Sequence, residues 1–161
     1  MEAIMTVERV RKYFEQFALN DRIKIFTRPT ATVDQAAETL GVQADQIAKT
    51  LAFSFEDRAF VVVISGMARI SNQKFKKVFN QRPRMLPRDQ VETMTGYRIG
   101  GVCPFALNDG VKVYLDYSLK KHDLLYPAAG DLNTAIRLSL DELEKYSRAA
   151  GWVDVAKEIA K

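Results

Sequence analysis

Two runs of aromatic and β-branched residues, Leu51 to Phe55 and Ala59 to Ile64, stand three residues apart. Side chains of this kind suit a pleated surface, and the charged Glu56-Asp57-Arg58 between the runs reads as a turn. The pair is therefore a β-hairpin, and Ser65-Gly66 ends its second strand. The other elements have to be arranged around it.

Those elements mix strands and helices without a regular succession. Residues 6–18 place Val7, Val10, Phe14 and Phe17 three and four positions apart, which predicts an amphipathic helix that Thr6 can cap. Arg22 to Phe26 alternates as a strand does, and Arg28-Pro29-Thr30 breaks it. Thr32-Val33-Asp34-Gln35 has capping-box spacing, Ala36, Ala37 and Leu40 form a small apolar face, and Gly41 stops the helix. Ser71 caps a helix over 72–80, with Phe75, Val78 and Phe79 facing inward and Lys74, Lys76 and Lys77 largely outward. Pro83 and Pro87 bound a loop, and 88–94 reads as a short helix. Val111 to Leu115, Leu124 to Tyr126 and Ala135 to Leu138 read as strands, with a turn or short helix over Asp116 to Lys121. A second capping box, Ser139-Leu140-Asp141-Glu142, starts a helix predicted to reach about Ala150, with Gly151 at its end. Trp152 and residues 153–160 are expected to pack back onto the core. Six or so strands interleaved in this way predict an α+β fold with one mixed, strongly curved sheet. The 161 residues suit a single domain spanning 1–161.

The usual hydrolytic and redox groups are scarce. There is one His and one Cys, which leaves the common zinc sets unfilled unless carboxylates supply the rest, and no cofactor or metal is expected. Cys103 has no partner for an internal disulfide, which suits a cytoplasmic location. No apolar run approaches the roughly 20 residues that span a bilayer. Met1 to Thr6 lacks the basic start of a signal peptide, so no membrane or export role is expected.

Charge is unevenly spread. From Arg58 to Arg88 there are eight basic residues and no acidic one, so with a net charge of +4 the remainder carries −4. This favours a polyanionic partner, tRNA or another nucleic acid, beside the plainer alternative of a solvated helix face.

Two stretches can carry chemistry. Lys49 opens an apolar strand in Ala48-Lys49-Thr50-Leu51; its ammonium either snorkels to the surface or is fixed in a pocket, where it can hold a phosphate or neutralise an oxyanion. Gly100-Gly101-Val102-Cys103-Pro104 allows backbone torsions that other residues resist, and Pro104 stiffens its exit. Exposed amides of such a turn can bind an anion or a carbonyl oxygen, although a purely structural turn fits the pattern too. A Cys103–His122 nucleophile pair is disfavoured because His122 lies in the charged Lys120-Lys121-His122-Asp123, and Ser65 has no evident base.

Together these residues resemble the YbaK/EbsC group of the prolyl-tRNA-synthetase-associated aminoacyl-tRNA editing-domain superfamily. Val33 to Gly41 is similar to that family's "AA-x-x-LG" helix, and Ile47 to Leu51 to its "KTL" strand start. Thr95-Gly96-Tyr97 with Gly100 to Phe105 resembles its "TGY-x-x-GG-x-x-P" loop, and Gly130, Asn133, Ile136, Leu138 and Leu143 its closing segment. The resemblance implies a partly open barrel of six to seven strands surrounded by helices. It implies a free-standing deacylase acting on a mischarged tRNA, Cys-tRNA(Pro)-like or bearing a related small amino acid, with a non-catalytic RNA- or nucleotide-binding relative as the alternative. It further implies Lys49 as the catalytic lysine, and Thr50, Ser65, Gly66, Gly100, Gly101, Val102, Cys103, Pro104, Gly130 and Asn133 around the substrate. Lys74, Lys76, Lys77 and Arg82 are expected to meet the tRNA acceptor end, with an aminoacyl-tRNA synthetase as a further partner. The family often has Ser or Thr where this chain has Cys103, a departure that bears on specificity if the side chain touches the amino acid.

Overall fold

The computed structural model describes residues 2–28, 30 and 32–158, with side chains from residue 6 onward. Five helices and ten strands follow in chain order. They are α1 (Glu2–Glu15), β1 (Ile23–Ile25), α2 (Val33–Leu40), β2 (Ile47–Phe55), β3 (Arg58–Ser65), β4 (Ala68–Ile70), α3 (Asn72–Phe79) and α4 (Val91–Thr95). After these come β5 (Lys112–Asp116), β6 (Leu124–Pro127), β7 (Thr134–Ile136), β8 (Leu138–Ser139), α5 (Leu140–Tyr146), β9 (Gly151–Val153) and β10 (Ala156–Glu158).

The hairpin is the centre of a mixed six-stranded sheet, ordered β8-β6-β2-β3-β5-β9 and curled into a half-barrel. β2 and β3 run antiparallel with Ala48 opposite Ser65 and Phe55 opposite Arg58, while β3 pairs parallel with β5. Two short antiparallel ladders, β1 with β7 and β4 with β10, close the flanks.

The second strand of the hairpin is apolar on both faces because both are covered. Val61 and Val63 join Val10 and Phe14 of α1, Phe105, Leu115 and Leu125 in the larger core. Val62 and Ile64 point the other way, into a smaller core with Phe53, Phe60 and Phe75 of α3. Both capping boxes form: Thr32 Oγ1 accepts from the Gln35 N–H, and Ser139 Oγ from the Glu142 N–H. Gly41 ends α2 at φ 72°, in the left-handed region that glycine tolerates.

Several local expectations are corrected. α1 begins at Glu2, so Thr6 lies inside it and not at its N-terminal cap. Val78 is exposed, and α3 anchors through Phe75 with Phe79 partly buried beside it. β2 starts at Ile47, so Lys49 is the third residue of the strand rather than its first. The stretch 135–138 is two strands in different sheets. α5 stops at Tyr146, and Gly151 begins a parallel strand instead of ending a helix. Pro29 and residues 159–160, called as a breaker and as part of a packed tail, lie outside the described residues. Among the described residues no helix is long and apolar enough to cross a membrane.

Candidate functional site

A gap in the sheet opens a cavity beside β2. β6 pairs with β2 only at Ile47 and Ala48. Farther along the same edge, Leu86 N–H donates to Ala52 O at 3.1 Å and Ser54 N–H to Arg84 O at 2.8 Å. Even-numbered residues of β2 therefore turn their amides away from β3, and Thr50 does so between the two covered stretches. Its N–H and C=O face an uncovered length of strand edge.

The cavity that opens there has a volume of about 340 Å³. Lys49 and Thr50 lie along one side, and Gly100 and Val102 along another. Val33, Ala36 and Leu40 of α2 supply an apolar wall, and Met85, Leu86 and Val91 the opposite one. Those walls are the part that sequence reading missed. The α2 face was legible as apolar, but nothing local told a cavity wall from a core contact.

Lys49 is half-buried, and burial lowers its pKa. Arg69 pushes in the same direction, while the Asp45 carboxylate opposes both. Thr50 Oγ1 is buried and, among the described residues, has no hydrogen-bond partner. A buried hydroxyl left unpaired costs roughly 1–3 kcal/mol, so this oxygen is a feature to be explained.

The glycine-rich loop is held from behind. Tyr97 is fully buried and its hydroxyl donates to Phe105 O at 2.6 Å. Thr95 Oγ1 donates to Val91 O and accepts from the Tyr97 N–H. Arg98 grips Asp131 with two hydrogen bonds, at 2.7 and 3.0 Å, tying the loop to residues 130–133. Gly100, at φ 86°, takes a conformation that a β-carbon would strain. Gly101 must lack one for a different reason: it would lie 2.6 Å from Asp131 Cα. Gly101 N–H donates to Arg98 O, whereas those of Gly100 and Val102 have no partner among the described residues.

The other anticipated residues fall in distinct places. Cys103 is fully buried behind the loop, and burial pushes its thiol up to about 11, against the opposing pull of the Phe105 backbone, Tyr97, Arg9 and the Gly130 backbone. Pro104 lines a separate surface depression with Tyr13 and Tyr146. Gly130 sits where a β-carbon would strike Thr6 O, and so lets α1 approach. Asn133 accepts from the N–H of Thr30, a cavity residue. Ser65, opposite Ala48 on β3, and Gly66 are not among the residues that line the cavity. Ser65 Oγ donates to Asp45 Oδ1 at 2.8 Å, and a β-carbon on Gly66 would overlap Ala44 O. His122 Nε2 lies 2.8 Å from Asp45 Oδ2, so the histidine serves that carboxylate and the Cys103–His122 pair does not form. Lys74 pairs with Asp154 at 3.0 Å, while Lys76, Lys77 and Arg82 are exposed. Among the described residues no group of three or more His, Cys, Asp or Glu side chains could hold a metal ion.

Residues 27–146 match the family described as the aminoacyl-tRNA editing domain. Over 155 residues the chain is 42% identical to an uncharacterized protein, YwhH, of Bacillus subtilis strain 168, covering 96% of this chain and 99% of that one. It is also 29% identical, over 104 residues, to a proline–tRNA ligase of Lactiplantibacillus plantarum; the match takes in 64% of this chain but only 18% of the ligase. Among solved structures, a proposed trans-editing enzyme for prolyl-tRNA synthetase superposes with a TM-score of 0.82 at 27% identity, over 94% of this chain and 97% of the other.

Proposed function

Because the chain belongs to the aminoacyl-tRNA editing domain family, we propose that it is a free-standing deacylase that hydrolyses the ester of a mischarged tRNA carrying a small amino acid. The observation that supports this most is the convergence of Lys49 with the amide-rich Gly100–Val102 loop on one cavity. Mostly apolar walls and a volume of about 340 Å³ leave room for an aminoacyl ester with a small side chain such as that of Cys, Ala, Ser or Pro.

An aminoacyl ester is already activated, so the chain need not supply a strong nucleophile or a metal-bound hydroxide. Water attacks the carbonyl carbon, or a neighbouring ribose hydroxyl or the thiol of a cysteinyl substrate does so first and water then hydrolyses the migrated ester or the thiolactone that results. The tetrahedral oxyanion collapses, the ester C–O bond breaks, and the ribose oxygen leaves with a proton. Holding ester and attacker in register contributes several kcal/mol, up to roughly 7–11 in ideal cases. The unpaired Gly100 and Val102 amides are the donors available to the oxyanion, at about 3–4 kcal/mol for one good donor. Lys49 neutralises charge next to the ester. Its Thr50 neighbour offers backbone groups and a hydroxyl along the strand edge.

Lys49→Ala tests the proposal. Single-turnover deacylation of Cys-, Ala-, Ser- and Pro-charged tRNA should fall about 100- to 1,000-fold on the preferred substrate, with an unchanged melting temperature and no sensitivity of the wild type to chelators. A wild-type protein inactive on every charged tRNA, or a fully active variant, overturns the assignment.

A further inference from the structure

Beside the cavity lies a second recess of about 300 Å³, which shares Leu40, Tyr126 and Ala135 with it. Asp21, Arg22, Lys24 and Arg137 complete its lining. Lys24 and Arg137 are far apart in sequence and are brought together by the β1–β7 ladder. That ladder sets Lys24 opposite Ala135 and, continued by one pair of positions, Arg22 opposite Arg137.

The three cations are not equivalent. Arg22 Nη1 is committed to Glu142 Oε1 at 2.7 Å and to Arg137 O at 3.3 Å. Lys24 and Arg137 are exposed, and neither side chain has an ion pair or hydrogen bond among the described residues. Asp21 offsets one of these two charges, so the recess keeps a positive surplus and two free donor heads.

We infer that this recess is a phosphodiester subsite for the single-stranded 3′ end of the tRNA, with Arg137 and Lys24 as its ligands. The inference rests on the deacylase reading and deepens it, because it says where the nucleic acid is held. An aminoacyl ester sits on the terminal ribose, whose own 5′ oxygen carries the nearest phosphodiester, so an ester in the cavity needs an anion site close by. The adjoining recess is in that position. A guanidinium fork suits two phosphate oxygens, and an ammonium adds a point charge. Tyr126, which lines both spaces, offers a ring on which the terminal base can stack. The basic stretch from Arg58 to Arg88, anticipated as the tRNA surface, contributes none of the recess lining.

The test uses uncharged RNA, so that binding is read apart from hydrolysis. Affinities of the wild type and of Lys24→Ala/Arg137→Ala are measured against salt concentration for a minihelix with a single-stranded 3′ CCA end and for its blunt counterpart. The double variant should bind the CCA-ended RNA about tenfold more weakly, with a log–log salt slope shallower by about 0.7, for the one single-strand phosphate that the two cations hold. The two proteins should bind blunt RNA alike. Lys24→Arg/Arg137→Lys should restore most of the affinity. An unchanged affinity and slope, or an equal loss on blunt RNA, overturns the subsite. If inorganic phosphate alone competes as strongly for blunt RNA as for the CCA-ended form, the site is a general anion site, and the inference fails. Should the 3′ end bind in this way to a protein that deacylates nothing, the subsite stands and the hydrolytic reading falls.

Discussion

Two polar groupings flank the first half of β2, and they are built on opposite terms. Around Asp45 everything is paired. Its carboxylate accepts from Ser65 Oγ and the Met67 N–H, lies 2.8 Å from His122 Nε2, and has Lys121 Nζ at 3.4 Å. Serine, histidine and aspartate sit together there as in a hydrolase, yet the serine and histidine both engage the carboxylate and not each other. Along the cavity edge the reverse holds: Thr50 Oγ1 and the amides of Gly100 and Val102 lack partners among the described residues. Residue type alone would point to the first grouping. Satisfied polarity is what a scaffold needs, and unsatisfied polarity around an open cavity is what the proposed site supplies.

The largest effect that separates the two should come from Gly101→Ala. Its β-carbon would meet the backbone of Asp131, which is buried and gripped by Arg98, so the loop and not the neighbour must give way. On the deacylase proposal, a shift of about an ångström in the loop amides costs on the order of 100-fold in rate. The misfit costs about 1–3 kcal/mol of stability. Gly151→Ala, with open space around the new methyl, serves as the control and should change neither deacylation nor the denaturation midpoint.

A smaller effect, of opposite kind, is expected from Asp45→Asn. Burial by itself would raise this carboxyl, but hydrogen bonds from His122, Ser65 and the Met67 N–H, with Lys121 nearby, hold its pKa down to about 2 from an ordinary 3.8. A depressed carboxyl stabilises the fold above its unfolded pKa, and the contribution disappears as pH falls through the folded value. Wild-type stability should therefore drop by about 1–2 kcal/mol more than that of the variant between pH 4 and 2, discounted for partial exposure, since the depressed Glu142 carboxyl titrates in both proteins. Deacylation at neutral pH should change by less than about threefold. The alkaline limb of the rate profile should move to lower pH, because Lys49 loses the carboxylate that raises its pKa. A large loss of activity at neutral pH would put the Asp45 cluster on the functional side of the comparison.

The contrast was only partly legible in the sequence. The hairpin, both capping boxes and the ends of α2 and α3 were readable because their signals are local. The three-residue strands β4, β9 and β10 were not, being too short to show a period, and Gly151 looked like a helix stop because glycine serves both roles. Lys49 and the glycine loop stood out as chemistry-bearing residues. Their neighbours did not: Cys103, adjacent to Val102 in the chain, is buried behind the loop while Val102 lines the cavity. Ser65 was expected beside the substrate, and the structure gives it to Asp45, which sequence reading never singled out. Lys24 and Arg137 were equally invisible, since each stands alone between apolar residues and only the β1–β7 pairing joins them. The charge run from Arg58 to Arg88 drew attention because runs are what one dimension displays.

The smallest expected change in stability is the sharpest test of unsatisfied polarity. Thr50→Val keeps the shape of the side chain and exchanges the lone hydroxyl for a methyl. If that hydroxyl is kept for a ligand, its removal relieves an unpaired polar group, and the free protein should gain up to about 1 kcal/mol in denaturant unfolding. Deacylation should fall by about tenfold, one charge-free hydrogen bond lost from the bound ester, and Thr50→Ser should recover most of the rate without the gain in stability. The strand-edge amide and carbonyl of Thr50 are present in every variant, so the valine protein should still bind uncharged RNA normally. A valine variant that is less stable and fully active would show that the hydroxyl is part of the packing, and would move Thr50 to the same side as Ser65.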